Sequence, residues 1–224
     1  MKTVLITGIS KGIAKALSDK FIKEGYFVIG TYLTSPASSN ENLSAHILDL
    51  SSQESIDSCV KEIERLGKKI DILINCAGVL RDEDETTVIV QKLRETLEVN
   101  LIGTIDFTEK IIPLINKGGH IINISSTAGS LVMSSDSHLS HFPNHYPSYK
   151  ISKAALNMYT RTLALRLKDS EITVSSVHPG WVKTDMGGPE ADISPEDAAA
   201  GIYQVAISNP KTGGFWFKDE QMPW

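Results

Sequence analysis

Thr3-Val4-Leu5-Ile6-Thr7-Gly8-Ile9-Ser10-Lys11-Gly12-Ile13-Ala14 stands at the amino-terminal end of the chain, and its reading decides the fold. A short β-branched run over residues 3–7 ends in a glycine turn, and a helical pattern over residues 11–23 begins inside that turn. A strand that feeds a helix through such a loop brings backbone N–H groups and the positive end of the helix dipole together, which suits a pyrophosphate. Gly8 permits the tight turn and Gly12 lets backbone approach the ligand. The spacing is Gly-x-x-x-Gly, and Ala14 stands where the dinucleotide-binding pattern has a third glycine. Glycine turns between strand and helix also arise for structural reasons alone, so the loop needs company.

Working outward, strand-like runs recur at residues 27–31, 45–48, 70–75, 120–125, 172–177 and 214–217, which makes seven in all. Helical patterns fill the intervals at residues 53–66, 87–115, 148–167 and 195–208. Continuous apolar strands alternating with helices predict an α/β fold: a Rossmann-type doubly wound parallel sheet of about seven strands with helices on both faces. The Ser/Pro/Asn-rich stretch at residues 34–42 is a loop, and no repeat divides the chain, so residues 1–224 read as a single domain. Asp82-Glu83-Asp84-Glu85 reads as a solvated loop whose charge suits the amino end of the long helix that follows.

Composition excludes several classes. Of 224 residues, 41% are hydrophobic and 22% charged, which places the chain among globular proteins rather than disordered ones. Net charge is −5 and no basic stripe is formed, which argues against nucleic acid as a partner. Two cysteines, Cys59 and Cys76, form neither a zinc pattern nor a redox pair, so a reducing compartment is expected. The first apolar run is too brief for a signal peptide and none is long enough to cross a bilayer, so no membrane role and a cytoplasmic location are the expectations.

Chemistry gathers at later positions. Tyr149-Lys150-Ile151-Ser152-Lys153 puts a phenol and an ammonium on one helix face, and a nearby cation favours a phenolate, which lowers the tyrosine pKa toward the working range. Tyr146 and Lys150 share that spacing, but Pro147 prefers the first helical turn and leaves Tyr146 at or before the helix start. Ser125-Ser126-Thr127-Ala128-Gly129 closes the fifth strand, at the sheet edge where open α/β folds bind ligands. Asn100 interrupts an apolar helical pattern, where asparagine competes for helix hydrogen bonds. Asn75-Cys76-Ala77-Gly78 closes the fourth strand and Asp49 the third, although Asp49 also reads as a cap for the next helix. His178-Pro179-Gly180-Trp181-Val182-Lys183-Thr184 follows the sixth strand.

In this order the motifs resemble the short-chain dehydrogenase/reductase family, and within it the subgroup of the C-factor signalling protein and sniffer-type carbonyl reductases. Cys76 departs from the family's usual asparagine. The resemblance implies Asn100, Ser126, Tyr149 and Lys153 as catalytic residues: Tyr149 the general acid or base, Lys153 its tuning partner on the nicotinamide ribose. Ser126 would hold the substrate oxygen, with Ser125 its rival, and Asn100 would kink its helix around a relay water. Cofactor contacts are implied at Gly8, Ser10, Lys11, Gly12, Ile13, Thr31, Asp49, Leu50, Asn75, Ala77, Gly78, Pro179, Gly180, Val182 and Thr184, besides Tyr149 and Lys153. The end of the second strand, Thr31-Tyr32-Leu33-Thr34, lacks the acidic residue that binds the ribose of NAD, and Lys11 can meet a 2′-phosphate with Ser10, Thr31 or Thr34 adding hydrogen bonds, so NADP(H) is favoured over NAD(H).

The implied activity is hydride transfer between the nicotinamide and a small carbonyl or alcohol substrate. The alternative is a dinucleotide-binding signalling or sensor protein of the C-factor type with little turnover. A homodimer or homotetramer is implied by the family's long helices, although the subgroup also holds monomers. His138, His141 and His145 fall in an extended segment between Ser126 and Tyr149. With Pro143 among them and no cysteine or carboxylate to complete a set, they read as a polar loop at the substrate entrance, and no metal is expected.

Overall fold

The computed structural model describes residues 1–35, 40–135 and 144–224. Strands β1 (Thr3–Ile6), β2 (Phe27–Tyr32), β3 (Leu43–Ile47), β4 (Ile70–Asn75), β5 (Ile115–Ile124), β6 (Thr173–Val177), β7 (Gly214–Phe217) and β8 (Glu220–Gln221) form one sheet in the order β3-β2-β1-β4-β5-β6-β7-β8. Every pairing is parallel except β7 with β8. The chain winds outward from β1 in one direction and from β4 in the other, so a crevice opens beyond the carboxyl ends of these two central strands.

The sheet is covered on both faces. Helices α1 (Gly12–Lys23) and α6 (Pro195–Ile207) bury Leu17, Phe21, Ile202 and Val205 against Val4, Ile6, Ile72, Ile74 and Ile122. On the other face α2 (Gln53–Arg65), α4 (Thr104–Ile111) and α5 (Pro147–Arg166) bury Ile56, Ile63, Phe107 and Leu163 against Leu5, Ile29, Leu73, Ile121 and Val174. Alternate residues of one strand thus serve opposite cores, which is why the strands read as unbroken apolar runs.

The expected parallel sheet is present with one short strand added, and two other expectations need correction. An eighth strand joins the expected seven because the chain turns back after Phe217 and pairs Trp216 with Gln221; two residues of strand leave almost no pattern to read. Residues 87–115 are not one helix. They form α3 (Val90–Leu97), a wide turn at Glu98–Gly103 bonded one residue further along than an α-helix, then α4, and Ile115 already belongs to β5. The wide turn accommodates Asn100 and lets the Thr104 hydroxyl donate back to the Val99 carbonyl at 2.9 Å. Lastly, Asp82 is not solvated. It is fully buried, and it meets the start of α5 rather than that of α3.

Polar side chains also fasten the interior. Asn75 on β4 donates to Thr108 and to Asn123, each at 2.8 Å, and Asn123 donates to Thr160 at 2.9 Å, tying α4 and α5 to the sheet. His120 on β5 is buried with Nε2 2.9 Å from the Ser175 hydroxyl and Nδ1 3.3 Å from the Ala206 carbonyl. Burial pushes its pKa from 6.5 down to about 4. Below pH 6.5 the unfolded chain therefore takes up a proton that the folded protein refuses until about pH 4, so stability falls as pH drops through that window. The loss at this one residue amounts to about 3 kcal/mol. Urea unfolding followed from about pH 7 to pH 4 will show it, and His120→Gln will remove that part of the slope; an unchanged slope would refute the assignment.

Candidate active site

At the nucleotide end of the crevice, the glycine loop is held from below. The Thr31 carbonyl accepts from Gly8 N–H at 2.9 Å and Ile9 N–H at 2.8 Å, with the Thr31 hydroxyl 3.4 Å from Gly8 N. Thr31 is thereby buried beneath the loop and supports it, which takes its side chain away from the role of meeting a 2′-phosphate. The Thr7 hydroxyl accepts from Cys76 N–H at 2.9 Å and Ala77 N–H at 3.0 Å, fixing the end of β4 beside the end of β1. Gly8 has φ +85°, and a Cβ there would lie 3.1 Å from Ala77 Cα, so the two turns touch only because Gly8 has no side chain.

α1 starts without a cap of its own. Lys11 makes no side-chain cap bond and the first turn carries no acidic residue, so its N–H groups, Gly12 and Ile13 among them, suit a phosphate. Ser10 donates to the Ser35 carbonyl at 2.8 Å. Lys11 forms an exposed ion pair with Asp185 of the loop after β6. That loop also brings Thr184 over Gly12, where a Cβ would stand 3.3 Å from the threonine methyl. Pro179 and Gly180 begin it, and Val182 is buried where it bridges to Ile193.

Asp49 spends one carboxylate oxygen on the Ser51 N–H and hydroxyl at 2.8 and 2.6 Å, while Ser52 caps α2. Leu50 is buried, and its carbonyl lies so close to Gly103 that a Cβ there would fall 1.8 Å away. The side chain of Asn75 is committed to the interior, so it reaches the crevice only through its backbone and the Cys76-Ala77-Gly78 turn that follows.

At the other end of the crevice, the structure brings Ser126 and not Ser125 to Tyr149. The Ser126 hydroxyl stands near enough to that of Tyr149 to act on its proton equilibrium, and Ser126 accepts from Ala128 N–H at 3.1 Å. Ser125 is buried in the strand end with its backbone bonded to Val177. Lys153 lies one turn along α5 from Tyr149, donates to the Ile124 carbonyl at 2.8 Å, and holds its Nζ 5.4 Å from the centre of the Tyr149 ring. Asn100, in the wide turn, accepts from Val79 N–H at 2.7 Å and donates to the Val79 carbonyl at 2.9 Å and to Ser152 at 3.1 Å. Gly129 packs so tightly under α5 that a Cβ would lie 2.6 Å from the Lys153 backbone. Tyr146 stands at the cap of α5 with φ +45°, outside the helix, and its ring meets that of Tyr149 edge to face at 6.0 Å.

The electrostatics differ from the expected lysine-lowered phenol. Burial raises the Tyr149 pKa above its ordinary 10, and the nearby Ser126 hydroxyl opposes that without offsetting it. The same burial lowers Lys153 to about 8, so the cation itself is weakened, and it sits under the ring rather than at the hydroxyl. Neighbouring Cys76 is pushed up to about 12 by burial, which keeps it a neutral thiol. His138 and His141 lie outside the described residues, and among the described residues no group of side chains has metal-binding geometry. Among the described residues no helix is long and apolar enough to cross a membrane.

An anion-ready glycine loop across a crevice from a buried tyrosine–lysine turn is the arrangement of nucleotide-dependent α/β oxidoreductases. The chain belongs to the short-chain dehydrogenase family, whose model matches residues 2–193. It is 31% identical to 1-hydroxy-2-glutathionyl-2-methyl-3-butene dehydrogenase of Rhodococcus sp. (strain AD45), covering 96% of this chain and 95% of that one. Among solved structures it resembles the carbonyl reductase Sniffer of D. melanogaster, with a TM-score of 0.88 at 26% identity over the whole of both chains. The NADPH-bound carbonyl reductase from chicken fatty liver is similar too, with a TM-score of 0.88 at 27% identity over 100% of this chain and 94% of that one.

Thr7 shows how much of this edge depends on one hydroxyl that sequence reading passed over as the last residue of a strand. Replacing it by the near-isosteric valine leaves Cys76 and Ala77 N–H without their acceptor, at a cost of about 1–3 kcal/mol for each donor that stays buried. Thr7→Val should therefore lower the urea midpoint by an amount equal to about 2 kcal/mol or more, and an unchanged midpoint would show that these bonds carry no net stability.

Proposed function

We propose that the protein is an NADP(H)-dependent carbonyl reductase, interconverting a small carbonyl compound and its alcohol. The observation that carries this reading is Lys153, buried and bonded to the Ile124 carbonyl, under the Tyr149 ring, with Ser126 beside that tyrosine at the carboxyl edge of the sheet. When bound, the nicotinamide supplies a hydride to the carbonyl carbon. The Tyr149 hydroxyl gives its proton to the carbonyl oxygen, and the Ser126 hydroxyl holds that oxygen by a hydrogen bond. A phenol whose pKa is raised by burial keeps its proton at neutral pH, which favours Tyr149 as an acid in the direction of reduction. Lys153 supplies positive charge beneath the ring as the phenolate forms, and Asn100 holds the Val79 backbone and Ser152 around that lysine.

Uncapped N–H groups at the start of α1, with Gly8 and Gly12 closing on Ala77 and Thr184, fit the pyrophosphate. Lys11, at the mouth of the loop, is the group we assign to a 2′-phosphate. The NADPH-bound relative from chicken liver supports the same choice. The Lys11–Asp185 pair is exposed and screened by solvent, so a doubly charged phosphate competes readily with Asp185 for the ammonium. A signalling role has no need of a proton donor set beside a hydride site, and the enzyme reading accounts for all four residues.

Tyr149→Phe, which keeps the ring and removes the proton, is expected to cut NADPH-dependent reduction across a panel of aldehydes and ketones at least about a hundredfold while leaving the calorimetric NADPH affinity within twofold. Retained turnover would reject Tyr149 as the donor. Wild-type protein should bind NADPH more tightly than NADH, and Lys11→Ala should erase most of that difference by weakening NADPH alone. Equal affinities in the wild type would reject the NADP(H) assignment.

A further inference from the structure

Asp82 takes no part in the scheme above, yet it is fully buried. It lies in the turn after β4, which is closed by Glu85 N–H donating to the Asp82 carbonyl at 3.1 Å. Its Oδ2 accepts from Ser148 N–H at 2.6 Å, and the Glu85 carbonyl accepts from Tyr146 N–H at 2.9 Å. A single turn, 66 residues distant from Ser148 in sequence, therefore satisfies two of the backbone donors at the start of α5.

Within its own first turn and cap residue α5 supplies no substitute. Tyr146 at its cap is left-handed and makes no side-chain cap bond, Pro147 has no N–H, and the first turn carries no acidic residue. A carboxylate from elsewhere does the work of the missing cap, and the helix dipole favours its negative charge at this end. The arrangement is costly: the other Asp82 oxygen and the Ser148 hydroxyl are both buried without a hydrogen-bond partner among the described residues. A carboxylate buried with one oxygen unpaired is a poor way to stabilise a core, so its value lies in what it positions. The residue after Ser148 is Tyr149.

We propose, on the reading of Tyr149 as proton donor, that Asp82 is a positioning residue: through Ser148 N–H it anchors the first turn of α5 and so holds the adjacent Tyr149 in place beside Ser126 and above Lys153. Further along, α5 is held independently, by Gly129 against the Lys153 backbone and by Lys153 on the Ile124 carbonyl. Loss of the Asp82 anchor thus loosens Tyr149 and leaves Lys153 and the glycine loop in place.

The test compares wild type, Asp82→Ala, Asp82→Asn and Tyr149→Phe with NADPH and the aldehyde that the wild type reduces fastest. A displacement of about 1 Å costs about a hundredfold in rate, so Asp82→Ala should lower kcat about tenfold to a hundredfold with the KM for NADPH within twofold of wild type. Asp82→Asn, whose amide oxygen accepts the same N–H, should restore kcat to within about threefold. A kcat for Asp82→Ala within twofold of wild type overturns the proposal, as does a fall in kcat matched by an equal rise in the KM for NADPH. If Asp82→Ala does not fold, Asp82→Glu decides, since it keeps the charge but shifts the acceptor by one carbon; an unchanged kcat there overturns the proposal. Turnover retained by Tyr149→Phe removes the proton-donor reading and this one with it, whereas loss of turnover in Tyr149→Phe beside an unaffected Asp82→Ala removes this one alone.

Discussion

The carboxyl edge of a parallel sheet leaves backbone donors and acceptors that no neighbouring strand can reach, and a handful of side chains in this protein reach them. Thr7 accepts from the turn after β4, Asn100 both accepts from and donates to Val79, and Lys153 donates to the last carbonyl of β5. Asp82 closes the set at the start of α5. Every one of these bonds joins segments distant in sequence, so satisfying the backbone and assembling the crevice are the same act. The residues proposed for chemistry are in large part the residues that finish the sheet.

Burial sets the electrostatic tone of that edge. It raises the Tyr149 phenol and lowers Lys153 to about 8, each shift disfavouring the charged form. With both ionised forms penalised, the ground state holds a neutral phenol above a weakened cation. In the proton transfer proposed for Tyr149, the charge that develops would meet dipoles and a lysine already in position. The wide turn at Glu98–Gly103 belongs to the same design, because it carries Asn100 to Val79 while Gly103 gives room to the Leu50 carbonyl.

Much of this was legible in the sequence because it is local. The Gly8–Gly12 loop, the Tyr149–Lys153 spacing and the Pro147 start of α5 are short-range patterns governed by backbone geometry, and they appear where the sequence places them. Asn100 was marked as out of place in a helix, and the structure supplies the wide turn around it. Other features escaped. Thr31 ends an apolar strand and looks available to a ligand, but two loop N–H groups draw it underneath. Asp82 sits in an acidic run that any pattern reads as solvated, and only its partner 66 residues on explains why it is not.

The sequence by itself determined the alternating strands and helices, the parallel sheet and the family, since periodicity, glycine turns and helix spacing act between residues close in the chain. Tertiary structure alone decided which way the tyrosine pKa moves and what holds the first turn of α5. Those outcomes depend on burial and on hydrogen bonds between segments tens of residues apart. Neither quantity is written in any short stretch of the chain, because each comes into being only when the sheet has closed and water has left the crevice walls.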